Sequence, residues 1–170
     1  VSRKLKQHKL TSRIGTLYRF ASGISPFISY AESYEPLSGS DRFGNAFKPS
    51  TGKQWEAGVK YDASGNRASL ALAVFRIDKE NVPTRDPSGS PYDQIQAGEV
   101  RSQGIELEAT MRPVDNLLLA LTYTYQDVEV TKDNSSLAGK TLVWVPDHIA
   151  SLWADYVFAD IPNTEGRYVG

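Results

Sequence analysis

Along this chain, apolar side chains recur at every second residue over seven stretches, and the connections between them alternate between short and long. A period of two sends successive side chains to opposite faces of an extended backbone, so each stretch predicts a β-strand with one apolar and one polar face. The predicted strands lie near residues 10–20, 24–34, 53–61, 67–80, 94–111, 116–130 and 145–158. Turn formers mark the short side: Ala21, Ser22 and Gly23, then residues 62–66, 113–116 and 160–166. The long side, residues 35–52, 81–93 and 131–144, is rich in Gly, Pro, Ser and Asp.

Charge sorts the two faces. One parity holds Ile14, Tyr18 and Phe20; Ile24, Pro26, Ile28 and Tyr30; Trp55, Ala57, Val59 and Tyr61; Ala71, Ala73, Phe75 and Ile77. It continues with Ile105, Leu107, Ala109 and Met111; Leu117, Leu119, Leu121, Tyr123 and Tyr125; Ala150, Leu152, Ala154, Tyr156 and Phe158, and none of these is charged. The other parity carries Arg13, Arg19, Glu56, Lys60, Arg76, Asp78, Glu106, Glu108 and Asp155. Val74, Ile149, Trp153 and Val157 are exceptions on that polar side, and the fourth strand is apolar on both faces, which a bulge would explain.

An all-β antiparallel transmembrane barrel accounts for this arrangement. A charge turned toward mid-bilayer lipid costs about 2 to 4 kcal/mol, so the charge-free parity is the outer one. With the short turns on the periplasmic side, Tyr18, Phe20, Tyr61, Tyr156 and Phe158 fall at one membrane boundary. Tyr30, Trp55, Tyr123 and Tyr125 fall at the other, as two aromatic girdles require. The predicted strands exceed the roughly 9 to 11 residues a tilted strand needs to cross, so they project beyond the outer surface. Seven is an odd number, whereas bacterial single-chain barrels are even. Arg167, Tyr168, Val169 and Gly170 read as the start of an eighth strand, and residues 1–170 as part of a larger barrel. A soluble β-sandwich also alternates, and it predicts Leu107, Leu119, Leu121 and Leu152 buried in protein.

Composition narrows the alternatives without choosing among them. Net charge is −1, from 19 basic and 20 acidic residues, which supplies no field for nucleic acid; Arg3, Lys4, Lys6, His8 and Lys9 are a local cluster. Without cysteine there is neither a disulfide framework nor a thiolate metal site. No apolar run approaches the roughly 18 to 20 residues of a spanning helix. The negative mean hydropathy, −0.40, is no objection to a membrane wall, because membrane strands show lipid only alternate residues.

Several stretches resemble TonB-dependent ferric-siderophore receptors, nearest the ferrichrome, hydroxamate type. They are residues 26–36 (PFISYAESYEP), 47–61 (FKPSTGKQWEAGVKY), 98–109 (GEVRSQGIELEA), 123–125 (YTY) and 145–156 (VPDHIASLWADY), in family order from about residue 11 to 170. The resemblance implies a 22-stranded barrel of the bacterial outer membrane with an N-terminal plug domain inside it. It also implies import of a ferric siderophore powered through TonB, ExbB and ExbD. On this reading residues 1–170 are the middle-to-late part of the barrel domain. The plug, the TonB box and the closing C-terminal strand are not among them. The chain departs from the family near residues 159–168, where members usually carry more residues.

No catalytic constellation stands out, and no enzyme activity or covalent cofactor is expected. Glu106 and Glu108, two apart on one strand face, read better as lumenal charges, hydrated or paired with the plug, than as an acid/base pair. His8 and His148 lack ligand spacing, and Asp127, Glu129 and Asp133 lack the glycine and spacing of a calcium loop. A siderophore arrives with its iron already ligated, so its receptor needs aromatic and hydrogen-bonding groups on the outer loops. The candidates are Tyr34, Arg42, Phe43, Phe47, Arg85, Tyr92 and Trp144. Glu99 and Arg101 share the outward parity of Ile105 but stand above the hydrocarbon, which predicts cross-strand ion pairs; Gly104 predicts a close backbone approach. The rivals are a passive porin-like barrel, which would conduct without TonB, and the soluble sandwich.

Overall fold

In the computed structural model, which describes residues 9–63, 65, 67–86, 88–90, 92–133, 138–141 and 145–158, the alternating stretches form strands. They are β1 (Arg13–Leu17), β2 (Ile24–Glu35), β3 (Ser50–Asp62), β4 (Ala68–Arg85), β5 (Gln94–Val114), β6 (Leu117–Lys132) and β7 (His148–Tyr156). Together they make one antiparallel sheet in sequence order, each strand bonded to its chain neighbours. Residues 159–170, with the predicted eighth strand, and most of the basic opening lie outside the described residues.

The connections alternate as the sequence predicts. At the first short turn Gly23 adopts φ +88°, and a Cβ there would collide with the Asp62 carbonyl, so only glycine fits. β5 and β6 meet across Asp115 and Asn116, with a register shift between Met111 and Val114. On the long side, β4 continues through Pro83 to Arg85 and pairs with β5 as far as Gln94, so the long connection expected over 81–93 shrinks to residues 86–93. This extension passes a bulge between Glu80 and Val82, where Asn81 takes φ 59°. Asn tolerates the left-handed region better than most residues, which lets the pairing resume beyond it.

Directly opposed residues of an antiparallel pair share a face, so the register assigns the described side chains of the strands to faces. Ile28 faces Ala57 and Tyr30 faces Trp55, whereas Ser29 faces Glu56. Leu107 faces Tyr123 and Leu121 faces Leu152, whereas Glu106 faces Thr124. For these strands the structure keeps the predicted faces. In β4 it reverses them: Leu72 pairs with Val59 and Leu107, and Val74 with Ala57 and Ile105, so Leu70, Leu72 and Val74 join the apolar face. Ala71, Ala73, Phe75 and Ile77 therefore point to the polar side, the first two opposite Glu108 and Glu106. Arg76 and Asp78, expected on the polar face, lie on the apolar parity near the long-loop end of β4. The register is continuous from Ala68 to Glu80, so no bulge explains the double apolarity; the bulge sits further out at Asn81.

Two glycines on the polar face admit aromatic rings. Phe27 is opposite Gly58 and Phe75 opposite Gly104, and a Cβ on Gly104 would come within 3.0 Å of the Phe75 ring while striking the Tyr125 carbonyl. The predicted close approach at Gly104 is thus a neighbouring backbone with a ring lying over it.

The aromatic rows slope across the sheet. From the Tyr30–Trp55 row on β2 and β3, the corresponding aromatics on β6 lie two residues (Tyr125) and four residues (Tyr123) nearer the short-turn end. At about 3.4 Å per residue this is a drop of about 7 to 14 Å across three strand spacings, or about 14 Å. At the other end, Tyr156 on β7 lies four residues beyond the row of Tyr61 on β3. That is again about 14 Å, over about 19 Å of sheet. Both girdles incline in the same sense, at angles that span the 35–45° tilt of strands in membrane barrels.

A single layer results. Among the described residues the buried apolar side chains are Phe47, Ala73, Val128 and Val130, whereas Leu152 is 71% and Leu121 38% exposed. A sandwich would bury both leucines under a second sheet.

Candidate functional site

The sheet presents two surfaces with different chemistry. Its polar face carries Ser29 and Glu56 side by side, then Glu106 beside Thr124 and Glu108 beside Thr122. This face is a wall of carboxyl and hydroxyl side chains. Among the described residues no three of His, Asp and Glu converge to hold a metal ion.

At the long-loop end the apolar face gives way to charge. Glu32, Lys53, Asp78, Arg101 and Glu129 stand opposite one another across five strands, alternating in sign. Asp78 is the centre: its carboxylate accepts from Arg76 Nε at 2.9 Å and Arg101 Nε at 2.8 Å. Lys132 reaches Glu99 at 3.0 Å. The cross-strand pairing predicted for Glu99 and Arg101 is therefore present, and since each partner is a third or more exposed, each pair contributes only about 0 to 1 kcal/mol.

Above this row the β2–β3 connection, residues 36–49, is built around Asp41. Its carboxylate caps the backbone N–H of Phe43 at 2.9 Å and of Asn45 at 2.8 Å, and accepts from the Asn45 amide at 2.9 Å. Those bonds favour the ionised form, the Asn45 side chain most strongly, and hold the Asp41 carboxyl below the ordinary carboxylate range. Phe47 turns inward, 6% exposed, against Gly39, whose φ of +109° lets the chain fold over the ring.

That loop is fastened to the β4–β5 hairpin at two places. Arg42 Nε meets the nearly buried carboxylate of Asp86 at 3.1 Å, and the same guanidinium donates to the Ser88 carbonyl. Nearer the sheet, the Gln96 amide accepts from the Lys48 N–H at 2.6 Å and donates to the carbonyls of Lys48 and Asn81. Asn81 Nδ2 donates to the Pro49 carbonyl at 3.2 Å, and Ser50 Oγ to the Glu80 carbonyl at 2.9 Å.

The structure brings four of the seven sequence candidates together. Arg42, Phe43 and Phe47 share the β2–β3 loop, and Tyr92 lies on the connection fastened to it. Phe43 is 70% and Tyr92 93% exposed, with the Arg42 guanidinium 4.7 Å from the Phe43 ring centroid. Phe47 is a packing residue of its loop. Tyr34 stands on β2 opposite Thr51, on the outward parity. The backbone of Arg85 closes β4 opposite Gln94; its side chain, like all of Trp144, lies outside the described residues. Asp86, Gln96 and Asn81 organise the loops and were not among the candidates.

Comparison with known proteins places this architecture. The family model for "TonB dependent receptor-like, beta-barrel" matches residues 1–170. The ferrichrome outer membrane transporter/phage receptor of Escherichia coli is 40% identical over 173 residues, covering 98% of this chain and 23% of that protein. The ferrioxamine B receptor of Salmonella typhimurium is 38% identical over 152 residues, covering 89% of this chain and 21% of its own. The crystal structure of the Pseudomonas aeruginosa ferripyoverdine receptor superposes with a TM-score of 0.74 at 22% identity, over 91% of this chain and 21% of that one. The chain thus spans between a fifth and a quarter of the length of these relatives.

Proposed function

The chain belongs to the TonB-dependent receptor-like β-barrel family, and from that premise we propose that the protein containing it takes up a ferric siderophore of the hydroxamate class across the bacterial outer membrane. The observation that carries the reading is a wall with two faces: an uncharged, girdled one suited to lipid and a charged, hydroxylated one suited to a wet interior. The similarity to relatives named for ferrichrome and ferrioxamine B supports that class of cargo.

The wall makes and breaks no covalent bond. The loops at the long end offer exposed rings and hydrogen-bonding groups to the organic shell of a preformed chelate, with Phe43 and Tyr92 as the first contacts. Glu56, Glu106 and Glu108 give the plug domain an acidic wall to rest against. Energy arrives from TonB, ExbB and ExbD through a periplasmic contact outside this chain, and the plug rearranges to release the cargo.

Uptake of a radiolabelled ferric hydroxamate by cells with and without the intact gene, in TonB-positive and TonB-negative backgrounds, tests the reading. Uptake is expected only where both gene and TonB are present. Flux that persists without TonB and rises in proportion to concentration would make the protein a passive pore.

A further inference from the structure

The two long connections over β2–β5 do not hang independently. The Arg42–Asp86 contact is built unlike a surface ion pair: the Asp86 side chain is 5% exposed and the Arg42 side chain 32%. A buried carboxylate is stable only when its charge is answered and its lone pairs are filled. Here Oδ2 faces Arg42 Nε, and Oδ1 accepts the Ser88 N–H at 2.9 Å. The Arg42 fork is also committed to the Ser88 carbonyl, so one guanidinium reads both a side chain and a backbone group of the other loop. Gln96 repeats the device lower down, since its amide bonds both the N–H and the carbonyl of Lys48 and so imitates one rung of a sheet between segments that are not sheet partners.

We propose that Arg42, Asp86 and Gln96 are positioning residues that lock the β2–β3 and β4–β5 loops into one rigid unit, presenting Phe43 and Tyr92 to the ferric chelate at a fixed spacing before it binds. The proposal rests on the uptake reading for its ligand. Arg42, with two of its donors bonded to Asp86 and Ser88 and its guanidinium 4.7 Å from the Phe43 ring centroid, orients that ring. A pre-assembled surface avoids the loss of affinity that arises when only a fraction of molecules hold the competent loop arrangement.

The test uses the complete protein in outer-membrane vesicles, with nitroxide labels on cysteines at Ala46 and Tyr92, both exposed, and pulsed electron resonance distances in the absence of chelate. A single narrow distance distribution is expected. It should broaden in Asp86→Asn combined with Gln96→Ala, while heat-modifiable gel migration certifies that the barrel is still folded. A distribution as narrow in the variant as in the parent, or already broad in the parent, overturns the proposal. In unlabelled cells the same double variant should raise KM for ferric hydroxamate uptake about tenfold, as expected if the competent loop population falls to about a tenth, with kcat within about twofold. Loss of kcat at unchanged KM would contradict a positioning role. The distance measurement needs no chelate, so the loop unit and the uptake reading fail separately.

Discussion

The two ends of the sheet are built from the same strands and answer different demands. At the short-turn end the strands stop near the aromatic row of Tyr61 and Tyr156, and the turns are held by glycine geometry and by Arg67, which meets Asp115 at 3.1 Å. At the long-loop end β4 and β5 run on past the Tyr30–Trp55 row into the alternating charges around Asp78, then into loops tied by Arg42 and Gln96. The difference shows where the membrane stops constraining the chain. Within the apolar band an outward residue must be uncharged; on the same parity Arg76 stands level with Trp55, and Asp78 and Arg101 lie one pleat beyond it.

A charge of the kind found at the outer end is expected to do most damage inside the band. Leu72→Arg, on the lipid side by register, should destabilise the complete barrel in lipid vesicles by about 2 to 4 kcal/mol, measured by denaturant unfolding. Ala71→Arg, one residue away and opposite Glu108, should cost far less. A smaller effect belongs to the band's packing. Gly104→Val forces a branched side chain between the Tyr125 carbonyl and the Phe75 ring, and should destabilise by about 1 to 3 kcal/mol in the same assay.

Smaller still is the charged row. Asp78→Asn should cost no more than about 1 kcal/mol because Asp78, Arg76 and Arg101 are all partly solvated, and salt should shrink the difference from the parent. The least is a local change at the Asp41 turn. Its carboxyl titrates lower in the folded loop than in an unfolded one, so the turn's contribution is complete above the ordinary carboxylate pKa of about 3.9 and fades as pH falls through the lowered value. Hydrogen-exchange protection of the Phe43 and Asn45 amides should therefore hold from pH 7 to about 5 and weaken only in stronger acid. In Asp41→Ala it should be weak throughout.

Much of the sheet was legible in the sequence because a strand with one wet and one dry face writes its orientation into every second residue. Trp55, Leu121 and Leu152 show this, as does the outward placing of Arg101 that predicted its ion pair. β4 was not legible. Residues 68–75, ASLALAVF, are apolar on both parities, so only pairing with Val59 and Leu107 decides that Leu72 looks outward. Arg76 and Asp78 lie on the outward parity although they are charged, because a charge marks the wet face only inside the apolar band. Aromatic and cationic loop residues were easy to nominate, but their roles depend on which loop meets which. The burial of Phe47 and the commitment of Arg42 to Asp86, 44 positions away, leave no periodic trace.

The strand on which register and charge counting disagree is also the sharpest place to test the membrane-facing surface. Nitroxides placed singly at Leu72 and Ala71 of the complete protein in bilayers can be read against lipid-dissolved oxygen and a water-soluble nickel chelate. The label at 72 should be relaxed by oxygen and shielded from nickel, and the label at 71 should be shielded from oxygen. A label at 71 that senses oxygen beside one at 72 that senses nickel would contradict the orientation of the sheet on which the account stands.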